Sequence, residues 1–215
     1  MRKKAERVAE ILVRLKRMYP KAKCSLDFTT PFELLIATML SAQSTDVRVN
    51  LVTKGLFRKY PTPQAFAEAS QVDMERDVKQ TGFFRNKAKA VIAASKAIVE
   101  KHGGEVPRTM EELTALPGVG RKTANVVLSN ALNTPVGIVV DTHVTRVSGR
   151  LGLTKNFDAE KIEQDLMALV PKSEWTNYSH RVIYHGREIC VARKPKCAAC
   201  GLNEVCPSAE ASPED

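Results

Sequence analysis

Apolar residues recur along most of this chain at intervals of three and four, the spacing that gathers them on one side of a helix. Val8, Ile11, Leu12, Leu15 and Met18 form the first such stripe. A denser apolar segment runs from Leu34 to Leu40, opened by Thr30-Pro31-Phe32-Glu33. That opening combines a capping side chain, a proline whose missing N–H costs nothing at the first helical position, and a glutamate placed to bond back. Thr62-Pro63 repeats the cap and proline, and Ser70 with Asp73 and Thr109 with Glu112 predict two further helix starts. His102-Gly103-Gly104 predicts a stop after the helix carrying Val91, Ile92 and Ile98, because glycine takes the left-handed conformation that ends helices. Only Val136 to Val140 reads as extended, and without a partner run it predicts a buried connection rather than a sheet. The pattern predicts an all-α fold.

With 215 residues, 43% hydrophobic and 27% charged, the chain can bury one good core or two small ones, which argues against disorder. Thirty-three Lys and Arg against 24 Asp and Glu leave a formal charge of +9. Glu210, Glu214 and Asp215 are acidic, so the body is more basic still. That balance points to a polyanionic partner, either nucleic acid or an anionic membrane surface. No apolar run approaches the ~20 residues of a membrane span, and the first stripe lacks the continuous apolar core of a signal peptide. A cytoplasmic protein is expected. Of five cysteines, four lie close together near the C-terminal end, which does not suit a disulfide framework in a chain of this size. No repeat, linker or composition break marks a domain boundary.

The candidate chemistry is concentrated in three places. In Leu116-Pro117-Gly118-Val119-Gly120-Arg121-Lys122-Thr123-Ala124, two glycines bracket one apolar residue between helical segments. Such a turn leaves backbone N–H groups facing outward at a helix start, where a phosphate oxygen fits. Gly118, Val119, Gly120 and Arg121 therefore read either as a grip on DNA phosphate or as an ordinary helix turn with a basic N-terminus. Lys122 follows in the first helical turn, either as a further phosphate contact or as an amine able to attack an aldehyde-like sugar carbon. Asp141, in Val140-Asp141-Thr142-His143, reads from its own neighbourhood as a helix cap. Cys190, Cys197, Cys200 and Cys206 give C-x6-C-x2-C-x5-C. Four thiolates suit either zinc or a four-iron four-sulfur cluster, and ligand type leaves both open. Between the first two, Arg193, Lys194 and Lys196 form either a phosphate-binding loop or a solvated charged one. Cys24 stands apart and is expected to be a buried apolar residue.

Together with Leu40-Ser41-Ala42-Gln43-Ser44-Thr45-Asp46, these motifs make the chain from about Pro31 to Cys206 closely resemble the endonuclease III family of helix-hairpin-helix DNA glycosylases. The resemblance implies a six-helix barrel domain at 24–135, with the helix-hairpin-helix near 109–131. It implies a discontinuous iron-sulfur cluster domain at 1–23 and 136–215, and a DNA-binding cleft between the domains with Lys122 on one wall and Asp141 on the other. The implied activity is removal of oxidised pyrimidines from duplex DNA, followed by β-elimination at the abasic site through a lysine Schiff base. Lys122 would be the nucleophile, and Asp141 would assist loss of the base and activation of the amine.

Under the same resemblance Gln43 fills the gap left by the extruded nucleotide, and Ser41, Asp46 and His143 match pocket positions. Phe83 falls at a wedge position where relatives commonly carry an aliphatic residue. An aromatic ring there can stack, but a preference for the opposite base does not carry over. The four cysteines would hold a four-iron four-sulfur cluster. The implied partner is double-stranded DNA containing damaged bases or abasic sites, bound by a monomer that is cytoplasmic and nucleoid-associated. Two other readings are an adenine-mispair glycosylase and a zinc-stabilised DNA-binding module without catalysis. The first usually lacks the hairpin lysine, carries a glutamate where this chain has Ala37, and continues well past the last cysteine, where this sequence reads only to Asp215.

Overall fold

Threonine, serine and aspartate side chains open most of the helices, so local hydrogen bonding places the elements before packing fixes them. The computed structural model describes residues 4–209, and the acidic Glu210, Glu214 and Asp215 lie outside the described residues. No strand is found among the described residues. The chain divides into two compact units.

The first unit, Cys24–Val136, contains α2 (Pro31–Leu40), α3 (Asp46–Lys59), α4 (Pro63–Ala67), α5 (Gln71–Val78), α6 (Phe84–His102), α7 (Met110–Thr114) and α8 (Arg121–Asn130). Thr30, Thr45, Thr62, Ser70 and Thr109 cap α2, α3, α4, α5 and α7 through their side-chain oxygens. The box around Thr30 departs from the reciprocal form. The Thr30 hydroxyl accepts from the Glu33 N–H at 3.1 Å, but the Glu33 carboxylate takes the N–H and hydroxyl of Thr29, one residue earlier. Gly103, at φ 60, closes α6.

Leu34, Leu35, Ile36, Ala37 and Leu40 are all fully buried, so α2 is apolar around its whole circumference and runs through the core of this unit. It packs against α8, while α6 packs against α4 and α5. Phe32 and Phe66 meet edge to face at 5.2 Å, the arrangement that aligns ring edge with ring face. Cys24 is only half-buried against this core, short of the full burial expected for it.

The second unit is formed by the described residues of Met1–Lys23 and Gly137–Asp215. It contains α1 (Lys4–Met18), α9 (Thr142–Arg150), α10 (Ala159–Met167) and α11 (Trp175–Glu188). Val8, Ile11 and Leu15 of α1 are buried, and Leu12 and Met18 are half-buried beside them. Helix α11 packs against both α1 and α9. Ile138 and Val140 enter this core as irregular chain, so the extended-looking Val136–Val140 run is a connection. Among the described residues no helix is long and apolar enough to cross a membrane.

Candidate functional site

The hairpin between α7 and α8 is set by a close backbone approach. Gly118 has φ +75, and a Cβ there would stand 2.8 Å from the Cβ of Ala90 on α6. Any side chain would be strained by the backbone and would also push α6 away. Gly120 then enters α8 at φ −92 and ψ 171, with no side-chain hydrogen bond at the cap. Helices α2 to α5 and α7 fill that position with a hydroxyl, whereas α8 supplies none, and the first-turn N–H groups of a helix have no partner within the helix. Arg121 and Lys122 sit exposed in this first turn. Val119 differs from the outward-facing role expected of it. Its side chain is 6% exposed and its N–H bonds the Leu116 carbonyl at 3.1 Å. An apolar side chain between two glycines is drawn into the core, so Val119 seats the hairpin while its neighbours remain open to a phosphate.

Gln43 and Phe83 both occupy the left-handed region, at φ 55 and φ 47. Neither is a residue that favours it, and such backbone costs of order 1–3 kcal/mol unless the surroundings fix it. Gln43 is exposed in the turn beyond α2. Phe83, directly before α6, is 64% exposed, whereas Phe84 is half-buried against the core. Of the two phenylalanines, then, the second packs and the first is free to reach outward. Gln43, Phe83 and Gly118 line one cavity of about 250 Å³. Ser41 caps the end of α2 and its hydroxyl donates to the Thr38 carbonyl at 2.8 Å. Asp46 is the first residue of α3.

In the other unit, Asp141 caps α9. Its Oδ1 accepts from the Val144 N–H at 2.8 Å, and the residue is half-buried. One oxygen therefore orients the carboxylate, and the second is left for other work. His143 lies a half-turn further on. Burial pushes its imidazole below the usual histidine range, with the Asp141 charge opposing and Arg146 reinforcing that shift. Arg146 lies 3.2 Å from His143 Nδ1 and donates to the carbonyls of Gly186 and Cys190.

Cys190, Cys197, Cys200 and Cys206 line a single cavity of about 300 Å³, and none forms a disulfide. Burial raises the Cys200 and Cys206 thiols, and the neighbouring cysteines raise them further. Such a set ionises when a cation shares the cavity. Among the described residues no three Cys, His, Asp or Glu groups converge on a single-ion position. Four cysteines on one cavity supply the donor set that a four-iron four-sulfur cluster takes. N–H groups are already aimed at the sulfurs: Leu202 N–H reaches Cys200 Sγ and Arg150 reaches Cys190 Sγ, both at 3.4 Å. Arg193, Lys194 and Lys196 are exposed in the loop between the first two ligands. Arg150 grips that loop through the carbonyls of Val191 and Ala192, at 2.7 and 2.9 Å.

Three residues that the motifs did not indicate hold these parts in place. Arg146 and Arg150 brace the cysteine loop, and Lys87 bonds two carbonyls beside the Gln43 cavity. For Lys87 a signal was present: it falls on the same helical stripe as Val91, Ala94 and Ile98, an unusual place for a cation.

Residues 36–172 match the HhH-GPD superfamily base excision DNA repair protein, and residues 190–206 match the iron-sulfur binding domain of endonuclease III. Endonuclease III of Synechocystis sp. is 55% identical over 212 residues, covering 99% of this chain and 97% of that protein. A non-covalent endonuclease III-DNA complex superposes with a TM-score of 0.92 at 44% identity, covering 98% of each chain. A trapped endonuclease III-DNA covalent intermediate, the estranged-adenine complex, gives 0.91 at 44% identity, covering 98% of this chain and 99% of that one. The chain belongs to the endonuclease III family of helix-hairpin-helix DNA glycosylases. It is a base excision repair DNA glycosylase, and its cofactor is a four-iron four-sulfur cluster. These matches favour neither the adenine-mispair reading nor the zinc module. The purified protein is accordingly expected to be yellow-brown, with about four irons per chain and a broad visible absorption that oxidative iron loss removes. Stoichiometric zinc without iron in metal analysis would contradict this assignment.

Proposed function

We propose that this glycosylase is bifunctional: it releases an oxidised pyrimidine from double-stranded DNA and then cuts the strand at the resulting abasic site. The observation that carries the proposal is the placement of the exposed Lys122 amine in the first turn of a helix with no side-chain cap, directly after the glycine hairpin. A phosphate held by the hairpin brings the adjoining sugar to the lysine. The unprotonated Nζ attacks C1′, the bond from C1′ to the base breaks, and the base leaves as an anion that takes a proton from water. Asp141, oriented through Val144, stabilises the positive charge that develops on the sugar and takes up the proton lost by the amine. The covalent adduct loses the ring oxygen from C1′ to become an imine. That imine makes a C2′ proton acidic. Its removal expels the 3′ phosphate, and water then frees Lys122 by hydrolysing the imine. The covalent intermediate captured for a relative 44% identical supports this route.

Chemistry on a paired base requires the nucleotide to leave the stack. Gln43 fills the vacated space through its amide, and Phe83 stacks as the wedge. Ser41, Asp46 and His143 are each read as contacts to the extruded base. The cluster, when bound, ties Cys190, Cys197, Cys200 and Cys206 together and keeps the intervening loop rigid, so Arg193, Lys194 and Lys196 meet phosphates in fixed register. The enzyme acts as a monomer in the cytoplasm, on nucleoid DNA.

A duplex with one oxidised pyrimidine tests the proposal. Base release followed by a nick carrying a 3′ unsaturated aldehyde is the expected product, and base release leaving an intact, alkali-labile strand would rule out the lyase half. Changing Arg193, Lys194 and Lys196 together to Ala should weaken binding to all duplexes alike, because phosphate contacts position DNA without reading it. The plot of log affinity against log salt should flatten by about 0.9 for each phosphate that is no longer neutralised. An unchanged slope would return these cations to a solvated face.

A further inference from the structure

Lys87 is a buried cation that the proposed chemistry does not use. It is 7% exposed, and burial pulls its ammonium below the ordinary lysine range. Its Nζ donates to the carbonyl of Leu40 at 2.8 Å and to that of Thr81 at 2.7 Å. Leu40 is the last residue of α2, and Thr81 is the last residue of a single 3-10 turn, Lys79–Thr81. Both carbonyls belong to chain ends whose acceptors have no partner within their own element, and the negative end of a helix favours a cation. Leaving them unbonded inside the protein would cost more than the bonds themselves provide. Three residues beyond Leu40 stands Gln43, and two beyond Thr81 stands Phe83. Each is held in left-handed backbone that its side chain does not favour. Lys87 itself lines the cavity shared by Gln43, Phe83 and Gly118.

We propose that Lys87 is a positioning residue for lesion recognition: by joining the Leu40 and Thr81 carbonyls, it fixes the loops of Gln43 and Phe83 in one register, so that the filler and the wedge enter the duplex together. The inference rests on the reading that Gln43 and Phe83 penetrate DNA. A cation is required here because three N–H donors on a flexible stem can serve two carbonyls from segments 41 residues apart, which no uncharged side chain of that length can do.

The test measures affinity for a duplex with one abasic-site analogue and for the same duplex undamaged, in the full-length, iron-loaded protein below each variant's melting temperature. Lys87→Met keeps the stem and removes the donors. It should lower the preference for the abasic duplex by about tenfold, with affinity for the undamaged duplex unchanged because the hairpin and basic loop are untouched. Lys87→Arg retains two or more donors and should restore most of the preference. If the Met variant does not fold, Lys87→Gln, which reaches only one carbonyl, should show the same loss in smaller measure.

Gln43→Ala and Phe83→Ala are measured alone and in combination with the Lys87 change. Non-additive losses, with the second substitution costing little once Lys87 is altered, support the joint register. Native preference in the Lys87 variants, alongside losses in Gln43→Ala and Phe83→Ala, overturns the inference and leaves the penetration reading standing. Additive losses, or an equal fall on both duplexes, assign Lys87 a general structural role and also overturn it. Native preference in both alanine variants overturns the penetration reading, and the inference with it.

Discussion

Lys122→Gln is expected to reduce strand cleavage at an abasic site by about a thousandfold or more while leaving the protein folded and able to bind abasic DNA. Removal of a covalent nucleophile has consequences of that size. Gln keeps hydrogen-bonding capacity but its amide nitrogen cannot form an imine. The side chain is exposed, so no packing is lost, and the melting temperature should not move. Gel analysis of an abasic duplex under single-turnover conditions measures the effect, and cleavage at the unaltered rate would make Lys122 a phosphate contact.

Asp141→Asn should lower base excision by about 100- to 10,000-fold, the range by which a positioned acid-base group accelerates a reaction. The Asn oxygen still accepts from Val144 N–H, so the cap of α9 persists and stability should be nearly unchanged. Asp141→Ala loses the cap as well and should additionally cost about 0.5–2 kcal/mol of stability. Comparing urea melts with excision rates for the two variants separates the capping oxygen from the charge. Full excision by the Asn variant would leave Asp141 with capping alone.

Local chemistry explains why so much of this fold is legible from the chain. Thr30, Thr62, Ser70 and Thr109 cap the helices they precede, since a cap depends on a hydroxyl and an N–H three residues apart. The all-helical fold follows from stripes such as Val8, Ile11 and Leu15, and the cysteine spacing carries the cluster. What escapes sequence reading is long-range or conformational. The Leu40–Lys87 bond spans 47 residues, and Arg150 holds a loop 41 residues away. The left-handed backbone at Gln43 and Phe83 contradicts the preference of both residue types, so only the folded surroundings reveal it. Val119 misleads for the opposite reason. Its glycine neighbours suggest an open amide, and burial of its own side chain turns that amide inward to Leu116.

Lys122 is predicted to be the amine that becomes covalently joined to the sugar. Reduction of the reacting mixture with borohydride, on a duplex containing one abasic site, converts the imine to a stable cross-link whose position can be read by digestion and mass spectrometry. The cross-link is predicted on Lys122. Its appearance on another lysine or on the terminal amine, or the absence of any cross-link under conditions where the strand is cut, would contradict the claim.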